Sequence, residues 1–262
     1  PIALINGRLS DRSYPRYLKM RTFAHRIMRL IDVCCMQSEL DRTRIVALGA
    51  PEERVHVLKS AKYEVAARNN AGEADAQAVL DRVGFTAETT ILMGGSTWPD
   101  EERILLEVFK ELRGAHPSLR LLLVPRHFER THEFLPDIDE LELSYVRKTE
   151  LQDGNPDVFV LDTTGEMSDY FAHASIIFIG KSLVGHGGQN IIEPALHGKP
   201  ILVGPNMQNF AQVMRDMLAA NAIVQVANAK ELEKQVETLL ADPDRGREIG
   251  THAATLVQRN AG

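Results

Sequence analysis

The feature that most constrains the fold is an alternation between short runs rich in β-branched residues and longer amphipathic segments. The short runs end in Gly, Asp or Pro, and this rhythm is typical of an α/β chain with a parallel sheet. Strands are predicted at Ala3–Asn6, Val33–Gln37, Val55–Leu58, Thr90–Gly94, Leu121–Val124, Val158–Leu161, Ile176–Ile179, Pro200–Val203 and Ile223–Val226. Open α/β sheets bind ligands at the carboxyl ends of their strands, so the loops that follow these runs are the candidate ligand-binding positions.

Helices are predicted between the strands, and the clearest runs from Asp100 to Arg113. Its apolar stripe consists of Ile104, Leu105, Val108, Phe109 and Leu112. The residues expected to face water are Glu101, Glu102, Arg103, Lys110 and Glu111. Two further helices are predicted to close the chain, at Ala229–Ala241 and Asp244–Gln258.

The 262 residues are enough for one large or two modest domains. The stretch from Lys62 to Ala78 contains few large apolar residues and has the composition of a connection. A domain boundary is therefore predicted after residue 62, between residues 1–62 and 63–262.

The composition excludes several classes of protein. With 44% hydrophobic and 25% charged residues the chain matches an average soluble globular protein, and a net charge of −6 gives no general attraction to nucleic acid. No apolar run approaches the ~18 residues of a membrane-spanning helix, and no stretch is expected to combine an apolar face with a cationic rim. Cys34 and Cys35 are adjacent and have no distant thiol partner, which favours a reducing, cytosolic setting. The chain starts at Pro1 within an apparent strand, so a missing N-terminal portion is expected to precede it.

Four glycines lie in the loop after the predicted strand Ile176–Ile179, at positions 180, 185, 187 and 188. Glycines let backbone N–H groups approach a ligand, and a helix start offers free N–H donors. The loop and the following segment, predicted to be helical through His197, could therefore cradle a phosphate, and Glu193 could accept hydrogen bonds from sugar hydroxyls. Tight packing of a strand-to-helix turn explains the same glycines, and their spacing is neither the dinucleotide fingerprint nor the P-loop.

Three more polar loops follow predicted strands. They are Met93–Pro99 with Ser96 and Thr97, Val124–Arg130 with Arg126 and His127, and Asp162–Met167 with Gly165. Each of them alone is equally well explained by helix capping or by a solvated loop. Together, four such loops at the carboxyl ends of parallel strands would line one crevice.

Two kinds of catalytic site are poorly supported. The nine histidines show no His-x-x-x-His spacing and no spacing with a cysteine that would bind a metal, so no metal is expected. A Gly-x-Ser-x-Gly motif is absent from the sequence, which disfavours a serine hydrolase of that type.

The motifs in these loops resemble those of the bacterial 3-deoxy-D-manno-octulosonic acid (Kdo) transferases. The resemblance runs along nearly the whole chain and is carried, in order, by Asn6–Ser13, Lys62-Tyr63, Gly95–Glu102, Pro125–Arg130, Gly180–Pro194 and Gly204–Phe210. Each motif is weak by itself. Six such motifs in the same order along the chain are specific for this family.

The resemblance implies a GT-B glycosyltransferase with two Rossmann-like domains, which transfers Kdo from CMP-Kdo to the lipid A precursor in lipopolysaccharide core biosynthesis. Residues 1–62 would be the C-terminal part of the acceptor domain, and residues 63–262 the donor-binding domain. The donor site carried over from the family comprises Ser96, Thr97, Pro125, Arg126, His127, Gly165, Glu166, Met167, Gly180, Lys181, Ser182, Gly187, Gly188, Gln189, Asn190, Ile191, Ile192 and Glu193.

The resemblance also implies features that this sequence does not supply. A glutamate general base, an acceptor-binding surface and a membrane-associating helix would lie in the missing N-terminal part, which would hold the enzyme at the cytoplasmic face of the inner membrane. No catalytic residue, metal or cofactor is therefore assigned to this chain, which is expected to be soluble and inactive on its own. CMP-Kdo would be a substrate, and no nucleic-acid partner is expected.

The sequence departs from the family motifs around the donor. Trp98 stands where the family has His, Lys181 where it has Gly, Gln189 and Asn206 where it has His, and Lys59-Ser60 where it has Gly-Asn. Lys181 could pair with a phosphate or with the Kdo carboxylate, or be a solvated loop lysine. Two other functions stay open: a GT-B enzyme that uses a UDP-sugar, and a module that binds a nucleotide or a partner protein without turnover.

Overall fold

The computed structural model of the protein describes residues 1–11, 13–58 and 72–260. The chain divides into two compact units, residues 1–67 with 258–262, and residues 68–257. The boundary predicted after residue 62 lies outside the described residues, as do the Lys62-Tyr63 and Lys59-Ser60 positions. The acceptor and donor roles of the two parts stay predictions.

Two parallel sheets make up the framework of the described residues. The strands are β1 Ala3–Gly7, β2 Val33–Met36, β3 Val55–Val57, β4 Thr90–Thr97, β5 Leu119–Pro125, β6 Tyr145–Arg147, β7 Val158–Val160, β8 Ile176–Ile179, β9 Ile201–Val203 and β10 Val224–Gln225. The first unit contains a sheet of order β1-β2-β3, and the second a sheet of order β10-β9-β8-β4-β5-β7-β6. Every strand pair is parallel, which confirms the predicted α/β class.

Most of the helices lie between successive strands, and the last two follow β10. They are α1 Tyr14–Lys19, α2 Arg21–Met28, α3 Glu39–Ala47, α4 Glu73–Arg82, α5 Glu101–Leu112, α6 Thr131–Glu140, α7 Met167–Tyr170, α8 Ile192–Ala195, α9 Ala211–Ala219, α10 Ala229–Ala241 and α11 Pro243–Asn260. The three helices predicted most clearly correspond to α5, α10 and α11, with ends that differ by at most two residues. Their apolar period is long enough to define them from sequence alone.

The core of the second unit lies on both faces of the seven-stranded sheet. Leu121, Leu122 and Leu123 of β5 are all fully buried, although successive side chains of a strand point to opposite faces. Such continuous apolar strands are typical of parallel sheets covered on both sides. Leu105 and Phe109 of α5 are also fully buried and belong to this core.

One strand was not predicted, and another is longer than predicted. β6 has only three residues and a single buried side chain, Val146, so it carries too little periodicity to be recognised. β4 continues beyond Gly94 because Gly95 and Thr97 still pair with β5, opposite Val124 and Pro125. The extension places Ser96 and Thr97 at the end of a strand instead of in a free loop.

An apolar and cationic surface lies on α1, α2 and the residues that follow them. Its exposed apolar side chains are Tyr17, Leu18, Met20, Phe23, Ile27 and Leu30, and its exposed cations are Arg16, Lys19, Arg21, Arg26 and Arg29. No acidic residue occurs between positions 12 and 31. The expectation that no stretch combines an apolar face with a cationic rim is therefore wrong. The segment breaks into two short helices at Met20, which obscures its pattern in the sequence.

No helix in the part of the chain that the structure describes is long and apolar enough to cross a membrane.

Candidate functional site

The carboxyl ends of β4, β5, β7 and β8 lie side by side. Gly95 of β4 pairs with Val124 on one side and with Ile179 on the other. Beyond β5, the Leu161 N–H donates to the Leu123 carbonyl over 2.8 Å. The four polar loops therefore begin at one edge of the sheet, as the strand order predicts.

A buried carboxylate, Glu101, organises the loop that follows β8. It lies at the start of α5, is 0% exposed, and accepts hydrogen bonds from five backbone N–H groups. The donors are Trp98 at 3.0 Å, Lys181 at 2.6 Å, Ser182 at 3.0 Å, Leu183 at 2.9 Å and Val184 at 3.3 Å. Hydrogen bonds of this kind offset the free energy of removing a charge from water.

Two expectations change as a result. Glu101 was expected to face water, and this prediction is wrong, because the first turn of α5 lies under the loop from β8. The N–H groups of residues 181–184 are held by the Glu101 carboxylate and are not free to bind a phosphate. The assignment of Lys181 and Ser182 to the donor site stays a prediction, and in Lys181 only the side chain is available for it.

Glu102 is also buried, at 2% exposure, so the prediction that it faces water is wrong as well. Its carboxylate accepts a hydrogen bond from the Thr97 hydroxyl over 2.8 Å. Burial raises the pKa of Glu102, and the neighbouring Arg130 opposes that rise. Thr97 is fully buried, and its hydroxyl is directed to this carboxylate.

The loop after β8 is fixed on its other side by the loop after β9. The Ser182 hydroxyl donates to the Ile179 carbonyl and accepts from the Gly204 N–H over 2.8 Å. The Asn206 N–H donates to the Ser182 carbonyl over 2.9 Å. Ser182 is fully buried, so its side chain supports the loop.

Three predicted glycines have a conformational or packing reason to be glycine. Gly187 and Gly188 are buried and have φ values of +102° and +71°, in the region that favours glycine. A Cβ at Gly180 would lie 2.5 Å from Thr97 Cα and 2.6 Å from the Ser96 carbonyl oxygen. Gly180 therefore permits the close approach of β8 and β4.

The segment from Gln189 to Glu193 contains free backbone donors. Helix α8 has only four residues, so the prediction of a helix through His197 is wrong. The N–H groups of His197 and Gly198 bond to carbonyls three residues earlier, and Gly198 has a φ of +64°. Asn190 Oδ1 accepts from the Ile192 N–H over 3.1 Å. The N–H groups of residues 189–191 make no hydrogen bond within the described residues, and those of the half-buried Gln189 and Asn190 are open to an anionic ligand.

The side chains in this segment differ in access. Ile191 and Ile192 are fully buried, backbone included, so their assignment to the donor site would require the segment to move. Gln189 and Asn190 are half-buried, as is Glu193. Burial raises the pKa of Glu193, and the nearby Asp169 carboxylate adds to the rise.

The loop after β7 is anchored by Asp162, which is 2% exposed. Its carboxylate accepts from Arg147 over 2.8 and 2.9 Å and from the Thr149 N–H over 3.0 Å. The predicted residues that follow are more accessible: Gly165 is exposed with a φ of +86°, Glu166 pairs with Lys148, and Met167 Sδ lies 3.5 Å from the Ser96 hydroxyl. The Ser96–Met167 contact joins the loops from β4 and β7.

The loop after β5 exposes the two predicted donor-site side chains, Arg126 and His127, together with Phe128 and Glu129. Pro125 is buried, and the Arg126 N–H donates to the Thr97 carbonyl over 3.0 Å. The Arg126 guanidinium forms no ion pair with another side chain in the described ranges. This leaves a cation free at the edge of the crevice.

Trp98 connects this cation-bearing loop to the loop after β8. Its ring lies edge-on to the His127 imidazole with centroids 5.5 Å apart, and Lys181 Nζ lies 4.5 Å from the centre of the Trp98 ring. Trp98 was noted in the sequence only as a departure from the family motif, and Glu101 was expected to face water. The helix dipole favours acidic residues in the first turn of any helix. The local sequence therefore does not distinguish the buried Glu101 from an ordinary exposed glutamate at a helix start.

Within the described ranges, no group of three or more His, Cys, Asp or Glu side chains could hold a metal ion. The expectation that the site requires no metal or other cofactor stays a prediction.

Comparison with known proteins shows which proteins the chain is similar to. The model of the family described as 3-Deoxy-D-manno-octulosonic-acid transferase (kdotransferase) matches residues 1–65. A bifunctional glycosyltransferase/methyltransferase from Fusobacterium nucleatum is 31% identical over 95% of the chain and 39% of its own length. A 3-deoxy-D-manno-octulosonic acid transferase from Haemophilus influenzae is 29% identical over 100% of the chain and 61% of its own length. The chain thus spans 39% to 61% of the length of these relatives.

Solved structures agree with these relatives. The C-terminal CMP-Kdo binding domain of WaaA from Acinetobacter baumannii is similar with a TM-score of 0.68 and 26% identity, over 73% of the chain and 100% of that domain. The UDP-GlcNAc 2-epimerase from Neisseria meningitidis, at 13% identity, shares the fold with a TM-score of 0.67 over 100% of the chain and 67% of its own. These similarities confirm the predicted GT-B type of α/β fold. The sequences and the fold agree, and this chain is similar along nearly its whole length to the 3-deoxy-D-manno-octulosonic acid transferases.

Proposed function

We propose that this chain binds CMP-Kdo as part of a glycosyltransferase that moves Kdo to the lipid A precursor in lipopolysaccharide biosynthesis. The similarity of 73% of the chain to a whole CMP-Kdo binding domain carries this proposal. The crevice at the carboxyl ends of β4, β5, β7 and β8 supports it, because open α/β sheets bind nucleotides at such a position. The donor site of the proposal consists of the eighteen residues from Ser96 to Glu193 that the family motifs identify.

The chemistry proposed is an inverting transfer in which CMP leaves as an acceptor hydroxyl attacks the anomeric carbon. Negative charge then develops on the leaving phosphate. The exposed Arg126 guanidinium and the free N–H groups of Gln189 and Asn190 can stabilise that charge. The general base is assigned to no residue of this chain, and we place it in a part of the enzyme outside this sequence.

Glu193 is proposed to accept hydrogen bonds from the ribose hydroxyls. Its carboxylate is half-buried and makes no hydrogen bond within the described part of the chain, so both oxygens are available. The raised pKa of Glu193 means that the carboxylate is protonated at a higher pH than an ordinary glutamate. Hydrogen-bond acceptance by the ionised form therefore weakens earlier as the pH falls.

We expect CMP to stabilise the protein against heat, whereas UDP does not. A hundredfold excess of CMP over its dissociation constant adds about 2.7 kcal/mol to the free energy of unfolding, because the ligand binds only the folded state. Thermal unfolding with CMP, UDP and no ligand measures this directly. Stabilisation by UDP and not by CMP would favour the UDP-sugar alternative. If the complete protein binds CMP but transfers no Kdo, the result would favour the alternative of a module that binds a nucleotide without turnover.

The Glu193→Ala variant should bind CMP more weakly by about 1.5 to 3 kcal/mol, the range for hydrogen bonds to charged groups. The difference in CMP affinity between the wild type and the variant should shrink as the pH falls through the raised pKa of Glu193. The wild-type side chain is then protonated and has lost the charge that strengthens its hydrogen bonds. Glu111→Ala, which alters an exposed glutamate of α5, is the matched control. A loss of thermal stability with unchanged CMP affinity would instead assign Glu193 to packing.

The lipid acceptor and the membrane are also part of the proposal. We propose that the α1 and α2 surface, with its exposed apolar side chains and five cations, contacts an anionic membrane. Co-sedimentation with vesicles tests this: vesicles of phosphatidylcholine with phosphatidylglycerol should retain the protein, and salt should release it. Equal recovery with pure phosphatidylcholine vesicles would contradict the electrostatic part, and recovery with neither would contradict the proposal. Location at the cytoplasmic face of the inner membrane belongs to the same proposal.

A further inference from the structure

The Lys181 backbone is fixed at a defined point of the crevice edge. Its φ is +55°, an uncommon value for a residue with a side chain, and its N–H donates to the buried Glu101 carboxylate over 2.6 Å. Gly185 leaves room for the side chain, since a Cβ there would lie 2.7 Å from Lys181 Cγ. The Lys181 backbone is thus fixed by Glu101, and the first carbons of its side chain pack against Gly185.

The far end of the side chain is held by Trp98. The Lys181 ammonium lies 4.5 Å from the centre of the Trp98 ring, within the distance at which a cation is attracted to an aromatic face. Trp98 is itself fixed, because its backbone N–H donates to the Glu101 carboxylate over 3.0 Å and its ring contacts the His127 ring. Both partners of this pair are therefore tied to the same buried carboxylate.

Among the described residues, no acidic side chain pairs with this ammonium. Lys181 forms no ion pair with a side chain in the described ranges, and the Glu101 carboxylate beneath it is occupied by five N–H donors. Arg126, in the loop after β5, is exposed and likewise forms no ion pair within the part of the chain that the structure describes. The protein carries a net charge of −6, yet this edge of the crevice presents two unpaired cations.

We propose that Lys181 binds an oxyanion of the sugar nucleotide and that Trp98 is the positioning residue that holds the ammonium toward it. This inference rests on the proposed function and assigns it a specificity element. A lysine loses considerable rotamer freedom when it binds, and an aromatic face that restrains it beforehand reduces that loss. The oxyanion is either the nucleotide phosphate or the carboxylate of the sugar, which present the same chemistry to an ammonium.

Titration calorimetry of Lys181→Met with three ligands separates the two sources. Cytidine has neither oxyanion, CMP has the phosphate, and CMP-Kdo has both. If the phosphate is bound, CMP and CMP-Kdo should bind roughly tenfold or more weakly, with cytidine unchanged. If the carboxylate is bound, only CMP-Kdo should be weakened. Lys230→Met, which alters an exposed lysine of α10, is the matched control.

Equal affinities of the wild type and Lys181→Met for all three ligands would overturn this inference and leave the proposed function intact. Failure of the wild-type protein to bind CMP and CMP-Kdo would overturn both. A loss of cytidine binding in Lys181→Met equal to the loss of CMP binding would also overturn it, because the lysine would then act on the fold of the crevice instead of on an oxyanion.

The role of Trp98 is tested separately by Trp98→Ala and Trp98→Phe. The alanine variant should lose affinity for the same ligands as Lys181→Met and leave cytidine unchanged, and the phenylalanine variant should retain most of the affinity because it keeps an aromatic face. In the double variant Trp98→Ala/Lys181→Met the two losses should not add, since the tryptophan acts through the lysine. Additive losses, or unchanged CMP and CMP-Kdo binding in Trp98→Ala, would overturn the positioning role.

Discussion

Replacing Glu101 by alanine is expected to destabilise the second unit by roughly 3 to 5 kcal/mol, the range for breaking a buried charged interaction by removal of one partner. The carboxylate is the acceptor for five backbone N–H groups, four of which belong to residues 181–184. Without it the buried Ser182 N–H and the part-buried N–H groups around it lose their acceptor, and each buried donor left without one costs free energy. Urea unfolding of the wild type and Glu101→Ala measures the difference.

The matched control is Glu111→Ala on the same helix, where the side chain is exposed. That variant should change the free energy of unfolding by no more than about 0.5 kcal/mol, as exposed substitutions usually do. Glu101→Gln provides an intermediate case, because its amide has one acceptor oxygen and brings an NH₂ group against N–H donors. Equal stabilities for Glu101→Ala and Glu111→Ala would refute the anchoring role of Glu101. If Glu101→Ala does not fold, the Gln variant still reports the order of stability.

The period of α5 was predictable, but the environment of its first turn was not. The apolar stripe through Leu105 and Phe109 repeats over three turns and defines the helix to within a residue of its observed ends. Glu101 lies outside that stripe, and the same acid would be suitable at any solvated helix start. Its burial depends on a loop that lies about 80 residues further along the chain, which no local pattern encodes.

In the candidate site, too, the position of the loops was predictable from the sequence and the environment of individual side chains was not. Strand order predicts that four loops meet at one edge, because parallel strands end together, and the structure places them there. The direction of individual side chains is set by tertiary partners. The hydroxyls of Thr97 and Ser182 bond to Glu102 and to the Ile179 carbonyl, and the side chain of Ile191 lies in the core. Motif positions identify the segment that could meet a ligand, and packing decides which atoms of it can.

Replacing Gly180 by alanine is the second change with a large expected effect. The added Cβ would lie 2.5 Å from Thr97 Cα, 2.6 Å from the Ser96 carbonyl oxygen and 2.7 Å from Glu101 Oε2. Two of these atoms belong to the backbone of β4 and cannot rotate away, so β8 and β4 must separate where Gly180 N–H bonds to the Gly95 carbonyl over 2.9 Å. We expect a loss of about 3 kcal/mol or more in the free energy of unfolding, at the upper end for overpacked sites.

Gly114→Ala is the control for this substitution, because no heavy atom lies within 4 Å of a Cβ built at Gly114. Its effect should be small or stabilising, up to about 1 kcal/mol, since alanine restricts the unfolded chain more than glycine does. The two variants carry the same added methyl group. The difference between their free energies of unfolding in urea therefore reports the crowding between β8 and β4. A Gly180→Ala protein as stable as Gly114→Ala would show that β4 can yield at Thr97. A destabilised protein that still binds CMP with wild-type affinity would show instead that the close approach serves the fold and leaves the crevice unchanged.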